Sequence, residues 1–85
     1  MLIVLRPEAE EDFAYFARHK PELARKIGRL LIEIEKTPFT GIGKPEPLKY
    51  QLSGCWSRRI DREHRLVYRV EKRDIIVLAC RHHYD

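Results

Sequence analysis

The apolar residues of this chain change their spacing near Phe39, and that change constrains the fold more than any other feature. Before it, Pro7 and Pro21 each open a segment whose apolar residues recur at helical spacing. The first apolar stripe consists of Ala9, Phe13, Phe16 and Ala17, and the second of Leu23, Ile27, Leu30, Leu31 and Ile34. Thr37-Pro38 ends the second segment. Two amphipathic helices with a short break between them predict a helical hairpin on one face of a sheet.

The remainder of the chain predicts strands. Four short strands are expected at about 48–52, 56–60, 64–70 and 75–81, and Leu2 to Leu5 are expected to form a short strand buried on both faces. In the strand at 64–70, alternation directs one set of side chains toward the helices (Leu66, Tyr68, Val70) and the other set away from them (Arg65, Val67, Arg69). The second set is expected to display arginines.

Every link after residue 48 is short, so the strands there should form an antiparallel meander. The predicted fold class is α+β, with an N-terminal strand, a two-helix hairpin and an antiparallel β-meander. At 85 residues, the chain is expected to form a single domain over residues 1–85.

The net charge of +4 is distributed unevenly along the chain. Residues 1–43 carry seven Lys and Arg against seven Asp and Glu, whereas residues 44–85 carry ten against six and so supply the whole +4. A basic half joined to a neutral half indicates a face that binds a polyanion, although a solvated sheet of mixed charge fits equally well. Charged residues at 35% and apolar residues at 44% indicate a globular protein rather than a disordered one.

The cysteines and the start of the chain bear on its compartment. Cys55 and Cys80 form no CxxC pair, so they are predicted to be free thiols in a reducing cytosol. The apolar run from Met1 to Leu5 is too short for a signal peptide or a membrane span, which predicts a cytoplasmic protein without membrane contact. His82 and His83 would point to opposite sides of an extended chain, so no metal site is predicted there.

Three residues have the chemistry to cut RNA without a metal, which requires a base for the 2′-hydroxyl, an acid for the leaving 5′-oxygen and cations around the phosphate. Glu46 is the candidate base because the prolines on both sides restrict its backbone. His83 is the candidate acid, since a histidine pKa near ~6.5 allows proton donation around neutrality. Arg65 could hold a phosphate through two hydrogen bonds. Glu46 and His83 also have plain structural alternatives, as a glutamate in a proline turn and an exposed tail histidine; for Arg69 on the same strand as Arg65, a solvated strand face is the preferred interpretation.

Further residues are candidates for binding the substrate. Lys44, Lys49 and Arg59 would position the RNA backbone, and Tyr84 would stack on an unpaired base, a contact worth about 1–3 kcal/mol. Arg58 and Arg59 fit a solvated strand face as well. A basic cleft of this kind also attracts an acidic or extended polypeptide as a partner.

Six short motifs follow one another over nearly the whole chain. They are Thr37-Pro38-Phe39, Gly43-Lys44-Pro45-Glu46-Pro47-Leu48-Lys49, Leu52-Ser53-Gly54, Trp56-Ser57-Arg58-Arg59-Ile60, Glu63-His64-Arg65-Leu66-Val67-Tyr68 and His83-Tyr84. This ordered series resembles the YoeB/Txe toxins, the RelE-like ribosome-dependent mRNA interferases of bacterial toxin–antitoxin modules. The resemblance implies a RelE/ParE-like microbial RNase fold. It also implies a cytosolic toxin that enters the ribosomal A site and cleaves mRNA by metal-independent acid–base catalysis, with no cofactor.

The same resemblance implies roles and partners. Glu46 would be the general base, His83 the general acid and Arg65 the phosphate-stabilising arginine, while Lys49, Arg59 and Tyr84 match positions that bind and orient the substrate. The implied partners are a YefM-like antitoxin and the ribosome with its rRNA and mRNA. Operator DNA would be reached only through the antitoxin complex, and a homodimer is allowed. RelE-like folds also serve as gyrase-binding toxins, so a non-catalytic toxin or nucleic-acid-binding module is the alternative.

Overall fold

A computed structural model describes residues 2–81 of the chain. Its elements are β1 (Ile3–Leu5), α1 (Pro7–His19), α2 (Pro21–Lys36), β2 (Glu46–Pro47), a 3₁₀ turn (Tyr50–Leu52), β3 (Trp56–Arg59), β4 (Arg65–Glu71) and β5 (Asp74–Ala79). The strands form one sheet in the order β1-β5-β4-β3-β2, in which β1 runs parallel to β5 and all other neighbours are antiparallel. The predicted α+β class, the helical hairpin and the meander are confirmed.

Both helices begin at the predicted prolines, and α2 ends before Thr37-Pro38 as the sequence predicted. A proline occupies the first turn of each helix, where its missing N–H has no intrahelical partner to lose. Glu8 and Glu10 lie in the first turn of α1 and Arg18 lies in its last, so both signs of charge complement the helix dipole. Lys20 alone separates α1 from α2, which makes the hairpin tight. Within residues 2–81, no helix is long and apolar enough to cross a membrane.

The core lies between the hairpin and one face of the sheet. Its buried residues are Ala9, Phe16, Ile27, Leu30, Ile34, Ile60, Leu66, Tyr68, Ile75, Val77 and Cys80. The predicted stripe of α2 is confirmed, but Ala17 is exposed, contrary to the α1 prediction. Ala17 follows Phe16, and one residue rotates a helix by about 100°, which carries its side chain to the margin of the buried stripe. Cys55 and Cys80 are free and buried, and the prediction of free thiols is confirmed.

Two strand predictions were wrong in detail. Leu2 and Val4 are exposed rather than buried, because β1 is an edge strand and only Ile3 and Leu5 of that strand pack against the core. The strand expected at 48–52 does not form. Tyr50 has a positive φ of 59°, which breaks the extended chain and starts the 3₁₀ turn.

β4 alternates as predicted, since Leu66 and Tyr68 are fully buried in the core. The opposite face was expected to display Arg65 openly, but this residue is buried as well, as is Val67. The expected direction of these side chains is correct and their expected exposure is not. Arg65 tolerates this burial because Ser57 of the neighbouring β3 and the Lys44 carbonyl in the loop before β2 supply hydrogen-bond partners for it.

Candidate active site

The candidate site lies on the sheet face opposite the helices, where β2, β3 and β4 run side by side. Glu46 of β2 pairs with Ser57 of β3, and Arg59 of β3 pairs with Arg65 of β4. Directly opposed residues of an antiparallel pair share a face of the sheet. The topology thereby brings a carboxylate, a hydroxyl and two guanidinium groups together from positions 46 to 65.

Glu46 and Arg65 form an ion pair at the centre of this face. Glu46 Oε1 lies 3.2 Å from Arg65 Nη2, and the two side chains are 63% and 9% exposed, respectively. Arg65 Nε donates to Ser57 Oγ at 2.8 Å, and Arg65 Nη2 donates to the Lys44 carbonyl at 3.3 Å. These contacts fix the orientation of the guanidinium, while the carboxylate remains accessible to solvent.

The chain reaches Glu46 through a left-handed turn. Gly43 and Lys44 have φ values of 83° and 50°, a region that favours glycine. A Cβ added at Gly43 would lie 3.1 Å from both Arg58 Cβ and Leu30 Cδ2, so this position has neither the backbone freedom nor the space for a side chain. Arg59 N–H donates to the Gly43 carbonyl at 2.6 Å and ties the turn to β3. Pro47 is tolerated in β2 because β2 is an edge strand.

The charges on this face do not cancel. Arg59 is exposed and lies directly across from Arg65, and like charges in such a pair destabilise a sheet. Glu46 pairs with Arg65, but within residues 2–81 no carboxylate forms a salt bridge with Arg59. Two guanidinium groups and one carboxylate leave a net positive charge, which suits a phosphate.

Two further predicted site residues, Lys44 and Lys49, lie within the part of the chain that the structure describes. Lys44 and Lys49 are exposed, and Lys44 contributes its backbone carbonyl to Arg65. His83 and Tyr84 lie outside the described residues. Ser57 orients Arg65 and was missed from the sequence, although alternation from Arg59 places it on the same face.

Arg58 requires a correction. The sequence allowed a solvated position, but Arg58 is fully buried on the helix side of the sheet, where backbone carbonyls surround it. Arg69 is half-buried and pairs with Glu71, in agreement with a surface role. Among residues 2–81, no group of three or more His, Cys, Asp or Glu side chains is placed to hold a metal ion.

The turn before β4 is held by Asp61. Its Oδ1 accepts hydrogen bonds from the backbone N–H groups of Glu63 at 2.9 Å and His64 at 2.7 Å. Burial opposes ionisation of this carboxyl, but these hydrogen bonds and electrostatic interactions with His64 and Lys20 lower its pKa below the ordinary value. His64 is buried, and its ring packs edge-to-face against Phe16 with 5.0 Å between the ring centroids. Asp61 and His64 therefore have structural roles.

Comparison with known proteins identifies close relatives. Residues 5–84 match the family model of the YoeB-like toxin of bacterial type II toxin–antitoxin systems. The chain is 54% identical over 78 residues to Toxin YoeB of Mycobacterium bovis, covering 92% of each protein. It superposes on a YoeB/ParE toxin from Agrobacterium tumefaciens with a TM-score of 0.97 and 42% identity, covering 99% of this chain and 100% of that one.

YoeB from Staphylococcus aureus is a further structural relative, 44% identical to this chain. It has been solved in a complex with YefM, with a TM-score of 0.90 and 99% of each chain covered. It has also been solved as a dimer, with a TM-score of 0.92 and coverage of 99% of this chain and 98% of that one. The span matched by the family model includes Glu46, Arg65, His83 and Tyr84.

Proposed function

Since the chain belongs to the YoeB-like toxins of bacterial type II toxin–antitoxin systems, we propose that it is an endoribonuclease that cleaves mRNA in the ribosomal A site. The observation that carries the proposal is the 3.2 Å contact between Glu46 and Arg65 on a positively charged face. A group that can accept a proton and a group that can hold a phosphate lie within reach of one phosphodiester. The proposed reaction uses no metal and no cofactor.

In the proposed mechanism, the scissile phosphate replaces Glu46 as the partner of Arg65. Arg65 is already oriented by Ser57 and by the Lys44 carbonyl, so it can receive the phosphate without reorganising. The freed Glu46 carboxylate takes the proton of the 2′-hydroxyl, and the 2′-oxygen attacks phosphorus. The bond from phosphorus to the 5′-oxygen breaks, and His83 protonates that oxygen. The products are a 2′,3′-cyclic phosphate and a 5′-hydroxyl.

Other residues would hold the RNA in place. Arg59, Lys44 and Lys49 would bind the phosphates that flank the scissile bond, and Tyr84 would stack on a base. The site lies on an open strand face, and the side chain of the proposed general base, Glu46, is 63% exposed. Such a surface has few contacts that could unstack the bases of a free RNA and orient its phosphate. The ribosome would supply that orientation, which predicts little activity on RNA alone.

The proposed partners follow from the relatives. A 44% identical YoeB has been solved in a complex with YefM and as a dimer. By analogy, we propose that this chain binds a YefM-like antitoxin and can form a homodimer. We propose further that residues 1–85 form one RelE-like domain. It would contact operator DNA only through the antitoxin complex. A ribosomal substrate places the protein in the cytoplasm.

The test uses ribosomes that carry a defined mRNA with a chosen codon in the A site. The purified protein should cut that mRNA at the A-site codon and leave the two end groups named above, which primer extension and end-group labelling detect. A Glu46→Ala/His83→Ala double variant should leave the mRNA intact. Toxicity retained by that variant, or translation blocked with the mRNA intact, would identify a non-catalytic toxin. Equal cleavage of free RNA would overturn the ribosome dependence.

A further inference from the structure

Arg58 is a fully buried cation on the far side of the sheet from the candidate site. Its Nη1 donates to the Ile42 carbonyl at 3.1 Å, and its Nη2 donates to the Thr40 carbonyl at 2.8 Å and to the Thr37 carbonyl. One side chain of β3 therefore holds three carbonyls of the loop that precedes β2. We call residues 37–43 the Arg58 loop.

Tyr68 extends this network from the neighbouring strand. Its hydroxyl accepts a hydrogen bond from Arg58 Nε at 3.1 Å and donates one to the Pro38 carbonyl at 2.6 Å. Burial raises the pKa of Tyr68, and Arg58 partly opposes that rise, so the phenol remains a proton donor at neutral pH. Together the two side chains bind four carbonyls of the Arg58 loop.

The network holds the buried cation of Arg58 with neutral groups. Within residues 2–81, no carboxylate forms a salt bridge with Arg58, so its charge is balanced only by carbonyl and phenol dipoles. Burying a cation carries a large desolvation penalty, and an apolar residue of similar volume often packs as well or better. What an arginine adds at this position is a rigid fork of donors that sets where the carbonyls lie.

The Arg58 loop leads directly to the candidate base. Gly43, its last residue, packs against Arg58 Cβ, where a side chain would not fit, and its carbonyl is bound by Arg59 N–H at 2.6 Å. The next residue, Lys44, gives its carbonyl to Arg65. Glu46 follows two residues later, so few free backbone angles separate the anchored loop from the carboxylate.

We propose that Arg58 is a positioning residue, which sets the placement of Glu46 against Arg65 by anchoring the Arg58 loop. The inference rests on the proposed role of Glu46 as the base. Arg58 is fully buried on the helix side of the sheet, so its side chain is not placed to bind RNA directly. Loss of its donors should let the loop shift, and a misplacement of about 1 Å can slow an enzymatic reaction by about 100-fold.

The first test measures the loop without RNA. The amide of Arg59, which is bonded to Gly43, should exchange hydrogen at least tenfold faster in Arg58→Met, while the amides of β5 keep their wild-type rates. The Arg65 Nη2–H resonances should also shift, because the Lys44 carbonyl that accepts their hydrogen bond moves with the loop. Equal acceleration at Arg59 and throughout β5 would show global destabilisation and overturn the proposal. Tyr68→Phe, a milder change to the same network, gives the same readout if Arg58→Met does not fold.

The second test measures cleavage on ribosomes. Arg58→Met should lower kcat about 100-fold with KM within twofold, whereas Arg69→Met, a matched change at a half-buried arginine of β4, should leave both near wild type. In a Glu46→Gln background, Arg58→Met should change the rate less than threefold, because no base remains to be positioned. Equal losses in both backgrounds would refute positioning. Wild-type cleavage by Glu46→Gln would refute the proposed base instead, and the exchange result would still decide whether Arg58 places the loop.

Discussion

Replacing Glu46 by glutamine separates the two roles that this residue has in the structure. The carboxylate is an ion-pair partner of Arg65 in the free protein and, by our proposal, a base during cleavage. Glutamine keeps the shape and an amide oxygen that can accept from Arg65, but it carries no charge and cannot take a proton at neutral pH. We expect a small loss of stability together with a large loss of activity.

The structure sets the size of each effect. The contact is short at 3.2 Å, but Glu46 is 63% exposed, so solvent screens the attraction and the pair should contribute about 1 kcal/mol or less. For a domain of this size, that corresponds to a fall in Tm of roughly 4–8 °C at most. Removing a general base costs roughly 10²–10⁴-fold in rate, or about 3–5 kcal/mol of barrier. The kinetic effect should exceed the effect on stability several-fold.

The assay is single-turnover cleavage of mRNA on programmed ribosomes, measured beside thermal unfolding of the same samples. Glu63→Gln is the matched control. Glu63 is 68% exposed, and its carboxylate lies 3.8 Å from the ring nitrogen of the buried His64, so the same substitution removes a similarly exposed carboxylate outside the proposed machinery. The control should cleave within twofold of wild type and lose no more stability than Glu46→Gln.

Two results would refute this reasoning. Cleavage by Glu46→Gln within threefold of wild type would remove the carboxylate from the chemistry. A fall in activity that only tracks the unfolded fraction, and that disappears on cooling to a temperature where the variant is fully folded, would show that Glu46 acts through stability alone.

Three further predictions follow from buried or constrained positions. Arg65→Lys removes the guanidinium fork, which can bind Ser57 and a phosphate at the same time. Cleavage should fall at least about 100-fold, and the free energy of unfolding should fall by about 1–3 kcal/mol in thermal unfolding. Unchanged cleavage would contradict this prediction. Gly43→Ala should lower the free energy of unfolding by about 1–3 kcal/mol, because φ is 83° and the added Cβ would lie 3.1 Å from its neighbours. A urea titration measures this, and an unchanged midpoint of the unfolding transition would contradict the prediction. Burial is the main cause that raises the pKa of Cys80 from 9.0 to about 12, and the nearby Asp12 carboxylate is the second. The neutral thiol therefore contributes its full share of stability below pH 9, and that contribution is lost as the pH rises toward 12. The difference in unfolding free energy between wild type and Cys80→Ala should therefore narrow by about 1.4 kcal/mol per pH unit above pH 9, and a constant difference would exclude this.

The periodic parts of the fold could be predicted because their signals are local. The α2 stripe and the inward face of β4 were assigned correctly, since 3.6-residue and two-residue periods are visible in any short window of sequence. The short links likewise made an antiparallel meander the economical arrangement. These features depend on neighbours in sequence and little on the remainder of the molecule.

The predictions failed where a distant contact or a single backbone angle decided the structure. The apolar pattern at 48–52 suited a strand, but the positive φ of Tyr50 turns that segment, and β2 forms earlier, at Glu46–Pro47. Arg58 looked like a solvated arginine because charge normally means exposure. Its carbonyl partners lie 16 to 21 residues earlier in the chain and come within hydrogen-bond distance only when the Arg58 loop folds back on β3.

The candidate site likewise has features that the sequence predicted and features that only the tertiary structure shows. The sequence motifs and the family resemblance they carry indicated Glu46, Arg65 and His83 as base, phosphate ligand and acid, roles that carboxylate, guanidinium and imidazole side chains can each perform. The helical hairpin and the sheet were determined by local periodicity in the same way. Only the tertiary structure decided that Glu46 pairs with Arg65, that Ser57 orients the guanidinium and that buried Arg58 anchors the approach to the base. These are contacts between separate strands and loops, and their geometry exists only once the sheet has assembled.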